Sequence, residues 1–500
     1  MEKLNGWATE AGKWILLATF LLTPMVTLRP GESATFGDLF LVLSVCAAGA
    51  IILIRRRLPE IPLWILGGGG LLVISIGITV AFPPDSVRTL VTTYFPNPYS
   101  STVSTGARLI AALIVLPLAV GVLADRRSTV SLAAWAWIAG VSLSCLVAVF
   151  DGMLDTGLQV ALADNPTEIE TFLAQEPPRY VGLGVHPTSF AVTASMVMPV
   201  LLAKMSASKR FLALSPVMLL LVLGIVLSGS RVGYVGAALA VILSLWLNPA
   251  LRRMVFRPDP RIWVPVLLVL GLSAAIFVKG PISNEPEVVV PAPPPTAPAP
   301  IEQSNDGDRS QPSRGQPGGG KGVGKAAQGS VPNQQKPENG QQDTPPITIK
   351  LDPTDRFNPS SIASIDSNDK RLEFAKQSVS FFVDRPLTGY GFEWIESAHN
   401  IYLQLLVSGG ILALIGFLWV YGGFVWRGFR MRGQFSGDAD AVRVATVVSL
   451  ISYLVMGLVQ PDLLDRYLYL PAGLILALSA SREKGGSGES GTAGEDEVSG

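Results

Sequence analysis

Long apolar runs separated by short polar connections dominate the pattern of the chain. A helix needs about 20 mostly apolar residues to cross a bilayer, and only a helix pairs its own backbone polar groups there. Twelve runs approach this length: 14–28, 38–54, 62–82, 107–124, 130–150, 187–203, 211–228, 231–247, 262–279, 399–425, 444–460 and 467–481. The pattern therefore predicts an all-α, polytopic integral membrane protein with about twelve transmembrane helices and one large outer loop.

The spacing of the runs divides the chain into four parts. Residues 1–279 are predicted to form a membrane domain with nine spans, and residues 280–398 the outer loop. Residues 399–481 carry the last three predicted spans. Residues 482–500 are rich in Gly, Ser and Glu, and we expect them to be a disordered tail.

The outer loop changes character along its length. Residues 281–350 hold fourteen prolines and no aromatic residue, so they cannot bury enough apolar surface to offset chain entropy, and we expect disorder. In residues 356–398, apolar side chains recur at spacings of three and four, which is typical of an amphipathic helix. They are Leu372, Ala375, Val379 and Phe382. Asp366 or Ser367 is the expected cap of this helix.

Charge supports a membrane protein and gives it an orientation. Only 15% of the residues are charged, against about 25% in a soluble domain. The formal net charge is zero, which argues against nucleic-acid binding. With both termini cytoplasmic, sixteen Lys and Arg residues fall in inner connections and six in short outer ones, as the positive-inside rule requires. The inner residues are Arg55, Arg56, Arg57, Arg126, Arg127, Lys204, Lys209, Arg210, Arg252, Arg253, Arg257, Arg261, Arg427, Arg430, Arg432 and Arg443. The outer residues are Arg29, Arg88, Arg108, Arg179, Arg231 and Arg466. The large loop therefore faces outward.

The predicted spans contain almost no Asp, Glu, Lys or Arg. Ion-coupled transporters place such residues at membrane depth, so their scarcity argues against a pump or symporter. A transporter or exporter with an uncharged pathway stays open as a second hypothesis.

Arg231 stands in a very short outer turn, Ser228-Gly-Ser-Arg231, at the ends of two predicted spans. Two interpretations are open. It either snorkels to a lipid phosphate or a loop carboxylate, or it forms a bidentate clamp for a phosphate-bearing substrate. Arg179 is a weaker candidate of the same kind.

Arg371 opens the predicted outer helix, where the helix macrodipole disfavours a cation. Either Asp366 and Asp369 compensate its charge, or Arg371 and the helix N-terminus bind a phosphate together. Arg385 is a weaker phosphate-binding candidate.

Both histidines of the chain, His186 and His399, lie where a predicted span meets the outer face, and their spacing fits no metal site. Asn400 is the expected cap of the next helix, which places His399 at the membrane edge. There the imidazole either makes a structural hydrogen bond or takes a proton from a hydroxyl nucleophile. Glu396 is the rival base.

Several of these residues lie in motifs that resemble those of the O-antigen ligase and polymerase superfamily of bacterial membrane proteins. The motifs are Arg179-Tyr-Val-Gly182, His186-Pro187, Ser228-Gly-Ser230-Arg231, Arg371-Leu-Glu-Phe, Pro386-Leu-Thr-Gly389-Tyr-Gly391-Phe, His399-Asn400-Ile-Tyr402-Leu and Gly409-Gly410. The resemblance covers about residues 175–425. The long Pro-rich insert departs from the family pattern.

The resemblance implies a glycosyltransferase of the bacterial cytoplasmic (inner) membrane. Its donor would be a glycan on a polyprenyl diphosphate such as undecaprenyl diphosphate, and it would need no metal or other cofactor. By the resemblance, Arg231 and Arg371 hold the donor diphosphate and His399 activates the acceptor hydroxyl. The acceptor stays open between a lipid core such as that of lipopolysaccharide, a glycan and a protein. The choice between ligase and polymerase also stays open, as does the oligomeric state.

Overall fold

Helices make up all the regular secondary structure in the described part of the chain. The computed structural model describes residues 2–26, 35–56, 58–82, 102–124, 126–163, 166–175, 178–208, 211–256, 365–392, 400–460 and 463–486. No β-strand occurs within these ranges, so the predicted all-α class is confirmed for them. They all belong to one compact unit, which excludes residues 283–351.

The helices follow the apolar runs closely. Before the Pro-rich segment they are α1 (Glu2–Leu22), α2 (Phe36–Arg55), α3 (Leu63–Ala81), α4 (Thr102–Leu123, with a π-helical turn at Ala111–Val115), α5 (Arg127–Leu154), α6 (Leu158–Leu162), α7 (Pro166–Leu173), α8 (Pro187–Ser208), α9 (Phe211–Ser228), α10 (Arg231–Leu247) and α11 (Pro249–Val255). After it they are α12 (Ile365–Asp384), α13 (Ile401–Arg430), α14 (Gly437–Met456) and α15 (Leu470–Gly486), the last preceded by a 3-10 turn at Arg466–Tyr469.

Among the described helices, seven are long and apolar enough to cross a membrane, namely α2, α3, α4, α5, α8, α13 and α14. The helices α9 and α10 are shorter but also apolar. Each of these nine coincides with a predicted span, and α1 and α15 overlap two more. The predicted span at 262–279 lies outside the described residues, as do the expected disordered segment at 281–350 and residues 487–500 of the expected disordered tail. Residues 482–486 of that tail belong to α15, so the tail begins later than predicted. The fold is that of a polytopic membrane protein, and the count of twelve spans stays a prediction.

Helix α8 lies at the centre, packed on α5, α9, α10 and α14. Small residues let these helices approach closely, as is usual for helix pairs in membranes. Hydrogen bonds between helices follow from this approach: the Ser195 hydroxyl of α8 donates to the Gly233 carbonyl of α10 (2.9 Å), and the Ser449 hydroxyl of α14 donates to the Met196 carbonyl (2.6 Å).

The ends of the helices gather at two opposite ends of the bundle. At one end, the Arg385 side chain just after α12 donates to the carbonyl of Phe82 at the end of α3 (3.2 Å). At the same end, Asn400 before α13 donates to the carbonyl of Leu458 after α14 (2.8 Å). We call this the α12 end of the bundle. The other is called the opposite end.

Two basic residues expected in cytoplasmic loops are instead buried in helices at the opposite end. The Lys204 ammonium pairs with Asp438 (2.7 Å), and Arg443 pairs with Asp440 (2.7 Å) and donates to the Gly428 carbonyl (2.9 Å). The helices α8 and α14 extend beyond the apolar runs that predicted them, which draws these side chains into the bundle. Their partners offset the cost of burying the charges.

Helix α13 is broken in its middle at Gly409-Gly410. Gly409 has φ −133° and ψ 16°, and Gly410 has φ 64° and ψ −162°, a conformation that is accessible almost only to glycine. Such a break interrupts the helical hydrogen bonds at membrane depth, where no water can replace them.

The loop after α12 supplies the missing partners. We call residues 385–392 the bridging loop. Tyr390 and Gly391 donate their backbone N–H groups to the carbonyls of Val407 (2.7 Å) and Ser408 (2.9 Å), and the Ile411 N–H donates to the Pro386 carbonyl (2.8 Å).

Helix α3 completes the arrangement with two hydroxyls. Ser75 donates to the Gly409 carbonyl (2.7 Å), and Thr79 donates to the Thr388 carbonyl of the bridging loop (2.8 Å). The bridging loop therefore holds α12 to both α3 and α13.

We predict that Gly410→Ala destabilises the protein by more than about 2 kcal/mol, through a disfavoured backbone conformation and a clash. A Cβ at this position would lie 2.5 Å from the carbonyl carbon and oxygen of Leu387. The control is Gly422→Ala in the same helix, where a Cβ meets nothing within 4 Å. Thermal unfolding in detergent measures the difference, and equal midpoints for the two variants would contradict the prediction.

Candidate functional site

The turn between α9 and α10 carries the first candidate residue. Helix α9 ends at Ser228, Gly229 has φ +59°, and α10 begins at Arg231. The Ser228 hydroxyl accepts from the Ser230 N–H (3.1 Å), which tightens the turn. Arg231 is exposed and makes no hydrogen bond or ion pair with another described residue. It lies at the ends of two helices, where the sequence places it.

Arg179 lies against the same turn. Its Nε donates to the Ser228 carbonyl (3.1 Å), and the neighbouring Tyr180 N–H donates to the Leu227 carbonyl (3.1 Å). The fold therefore brings Arg179 and Arg231, 52 positions apart in the sequence, to one turn at the α12 end of the bundle. Arginine side chains suit a phosphate, because one guanidinium can donate two parallel hydrogen bonds to it.

A buried glutamine holds the segment that carries Arg179. The Gln159 side-chain oxygen accepts from the backbone N–H groups of Val181 (2.7 Å) and Gly182 (2.6 Å). Gln159 is itself fixed because the Asp151 carboxylate at the end of α5 accepts from the N–H groups of Leu158 (2.7 Å) and Gln159 (2.6 Å). Sequence reasoning missed both residues, although an acidic residue at the end of a predicted span was a signal that could have found Asp151.

The second candidate, Arg371, lies further along its helix than the sequence predicted. Helix α12 begins at Ile365, so Arg371 is in the second turn and does not open the helix. Asp366 and Ser367 also lie inside α12, so the expected caps are wrong. The helix-terminal field falls off within the first turn, so the position of Arg371 gives no support to a joint phosphate site with the helix N-terminus.

Arg385 serves to attach α12 to the bundle. Besides its bond to Phe82, its guanidinium lies over the Tyr390 ring, 5.7 Å from the centroid. The Tyr390 hydroxyl donates to Asp384. Burial, together with the Asp384 carboxylate, raises the pKa of Tyr390 to about 12, so the phenol stays a hydrogen-bond donor at neutral pH. These contacts give Arg385 a structural role.

His186 lies at the start of α8 and has contacts of its own. Its Nδ1 accepts from the Thr188 N–H (3.1 Å), as a helix cap does, and its ring meets Phe172 edge-on with centroids 5.0 Å apart.

Asn400 caps α13 as expected. Its side-chain oxygen accepts from the N–H groups of Tyr402 (2.9 Å) and Leu403 (3.1 Å). With its bond to Leu458, this fixes the residue that directly follows His399. His399 and Glu396 themselves lie outside the described residues.

Two polar side chains line the first half of α13. Gln404 and Ser408 are one helical turn apart and fully buried. Within the described part of the chain, neither side chain finds a hydrogen-bond partner.

The described residues also contain no group of three or more His, Cys, Asp or Glu side chains that could hold a metal ion.

We predict that Gln159→Met loosens the segment around Arg179, because methionine fills a similar volume but is a poor acceptor for the Val181 and Gly182 N–H groups. Hydrogen exchange measured by mass spectrometry should rise in peptides that cover 178–186. The control is Thr446→Val in α14, which removes a buried hydroxyl bonded only to its own helix. Unchanged exchange in 178–186 for Gln159→Met would show that the glutamine does not hold the segment.

Comparison with known protein families identifies a segment of the chain that contains several of these residues. Residues 216–418 match the family model described as O-antigen ligase. The matched segment contains the turn at Arg231, helix α12, the bridging loop and the break in α13. No curated protein matches the chain. The predicted resemblance to the O-antigen ligase and polymerase superfamily is therefore confirmed, and the part of the chain that carries it is residues 216–418.

Proposed function

We propose that the protein is a glycosyltransferase of the O-antigen ligase type. It transfers an oligo- or polysaccharide from a polyprenyl diphosphate to an acceptor hydroxyl on the outer face of the cytoplasmic membrane. The observation that carries this proposal is that Arg179 and Arg231 adjoin the same turn, at the end of the bundle where α12 and the start of α13 also lie. Arg231, α12 and the start of α13 fall in the segment that matches the O-antigen ligase family.

The proposed reaction is a displacement at the anomeric carbon of the donor sugar. The acceptor hydroxyl oxygen forms a bond to this carbon, and the bond from the carbon to the diphosphate oxygen breaks. The polyprenyl diphosphate leaves with the bonding electrons, and the hydroxyl proton passes to His399. Negative charge grows on the diphosphate as it leaves, so guanidinium groups that bind two phosphate oxygens each stabilise the transition state.

Arg231 and Arg371 are the proposed diphosphate ligands, with Arg179 in support. Arg231 makes no ion pair with a described carboxylate, so its charge is available for an anion. Arg371 takes its proposed role from the family motif. It lies in α12, which is attached to the bundle by the hydrogen bond from Arg385 to Phe82.

The distribution of basic residues supports an outward orientation of the α12 end. The opposite end holds Arg55, Lys204, Arg427 and Arg443. Basic residues are enriched on the cytoplasmic side of membrane proteins. This distribution supports a position of the proposed diphosphate site on the outer face, where the proposed donor is a lipid-linked glycan.

Replacing Arg231 or Arg371 by Lys should lower the rate of transfer by about 100-fold or more, because Lys keeps the charge but loses the planar fork that binds two phosphate oxygens. Transfer is measured with purified protein, a polyprenyl-diphosphate-linked glycan and a defined acceptor. Arg252→Lys, at an exposed position on α11, is the control and should keep full activity. Near-normal rates for both site variants would remove the proposed diphosphate clamp.

His399→Ala should reduce the transfer rate by about 100- to 10,000-fold, which is the usual contribution of a general base, while donor binding persists. In the native protein the rate should fall at acidic pH, because imidazolium cannot accept a proton. Glu396 is the rival base. If Glu396→Gln loses activity and His399→Ala does not, the assignment of the base is wrong.

A further inference from the structure

Helix α12 has two different exposed stripes. Leu372, Val379 and Val383 are 54%, 47% and 69% exposed, and their spacings of seven and four put them on one face of the helix. Lys376 is also exposed and interrupts this face, because it lies four residues after Leu372 and seven before Val383. Ser380 and Asp384 are exposed on the adjacent face. Apart from Lys376, the exposed surface of α12 is therefore apolar along one line, and it is polar along the adjacent line.

The rest of the helix faces the protein. Ser378 is buried and Phe382 is half-buried, and Phe381 packs on the Tyr390 ring with centroids 5.2 Å apart. Helix α12 thus has a protein face, an apolar exposed face and a polar exposed face. A helix that lies in a membrane surface against a protein has these three environments.

The attachment of α12 places its end at the level of the membrane boundary. Helix α3 has 19 residues and is about 28 Å long, close to the hydrocarbon thickness of about 30 Å. Arg385 donates a hydrogen bond to the carbonyl of Phe82, the residue after α3. Thr79, one turn further into α3, donates a hydrogen bond to the bridging loop. The C-terminal end of α12 is therefore level with the end of a membrane span.

Exposed apolar side chains continue from α3 to α12. Val80 and Phe82 are exposed at the end of α3, and Val383 and Leu387 are exposed two residues to either side of Arg385. Because Arg385 is bonded to Phe82, these side chains extend the lipid-facing surface of α3 onto α12.

We propose that α12 lies in the membrane interface and that its apolar stripe contacts the acyl chains of the bilayer lipids. The side chain of Lys376, on the same face, then snorkels, with its aliphatic stem along the apolar stripe and its ammonium at the lipid phosphates. The contact itself does not depend on glycosyl transfer. Its consequence, that Arg371 is held at the level of a lipid-borne diphosphate, rests on the proposed function.

The test measures the depth of a nitroxide attached to single cysteines of the full-length protein. Val383→Cys and Ser380→Cys are made in a background with Cys46→Ser and Cys145→Ala, and Val379→Cys serves if Val383→Cys fails to fold. A label on native Cys46, which is exposed on the membrane span α2, is the in-bilayer reference. The protein is reconstituted in vesicles of phosphatidylethanolamine and phosphatidylglycerol, and collisions with oxygen and with a water-soluble nickel chelate are compared.

The label at Val383 should resemble the Cys46 reference, with frequent oxygen collisions and severalfold fewer nickel collisions than the label at Ser380. Equal nickel access at both positions would overturn the proposal, because the apolar stripe would then face water. Protection of the Val383 label from both reagents would also overturn it, because protein and not lipid would then cover the stripe. No donor or acceptor is present, so neither result depends on the proposed function.

Discussion

Polar backbone at membrane depth must be paired within the protein, and the break in α13 makes much of the structure depend on this requirement. Gly409-Gly410 leaves carbonyl and N–H groups that the helix cannot pair, and the bridging loop and α3 pair them. Because the bridging loop directly follows α12, the same bonds determine where α12 lies. The geometry at the α12 end of the bundle is therefore fixed from inside the membrane.

The proposed diphosphate site has two supports that share no described hydrogen bond. Arg231 and Arg179 depend on the turn after α9 and, through Gln159, on the end of α5. Arg371 depends on α12 and hence on α3 and the broken helix α13. A donor diphosphate bound by both sides would connect two parts of the protein that are otherwise held separately, so binding and alignment of the donor would be one event.

The apolar pattern of the sequence was enough to predict the all-α class and the locations of most helices, because lipid permits few alternatives. It located Arg231 at a turn between two spans and Asn400 as a helix cap, since both depend on neighbouring residues. The apolar pattern did not predict features that depend on contacts between residues far apart in the chain. Polar residues before Arg371 extend α12 without an apolar signal, and Lys204 is buried because Asp438, far along the chain, meets it. The pairing of Ser75 with the break in α13 is likewise invisible in a single sequence.

Helix α12 is about 30 Å long, and only its C-terminal end carries the bonds that attach it to Phe82 and to the break in α13. The chain that comes from the Pro-rich segment joins at the other end. Changes in the length of a loop cost little free energy, and here they would enter about 30 Å away from the attachment. The fold thus has an insertion point at which evolution can vary a long surface segment, or an engineer can fuse a reporter domain, while the attachment of α12 to α3 and α13 keeps its shape.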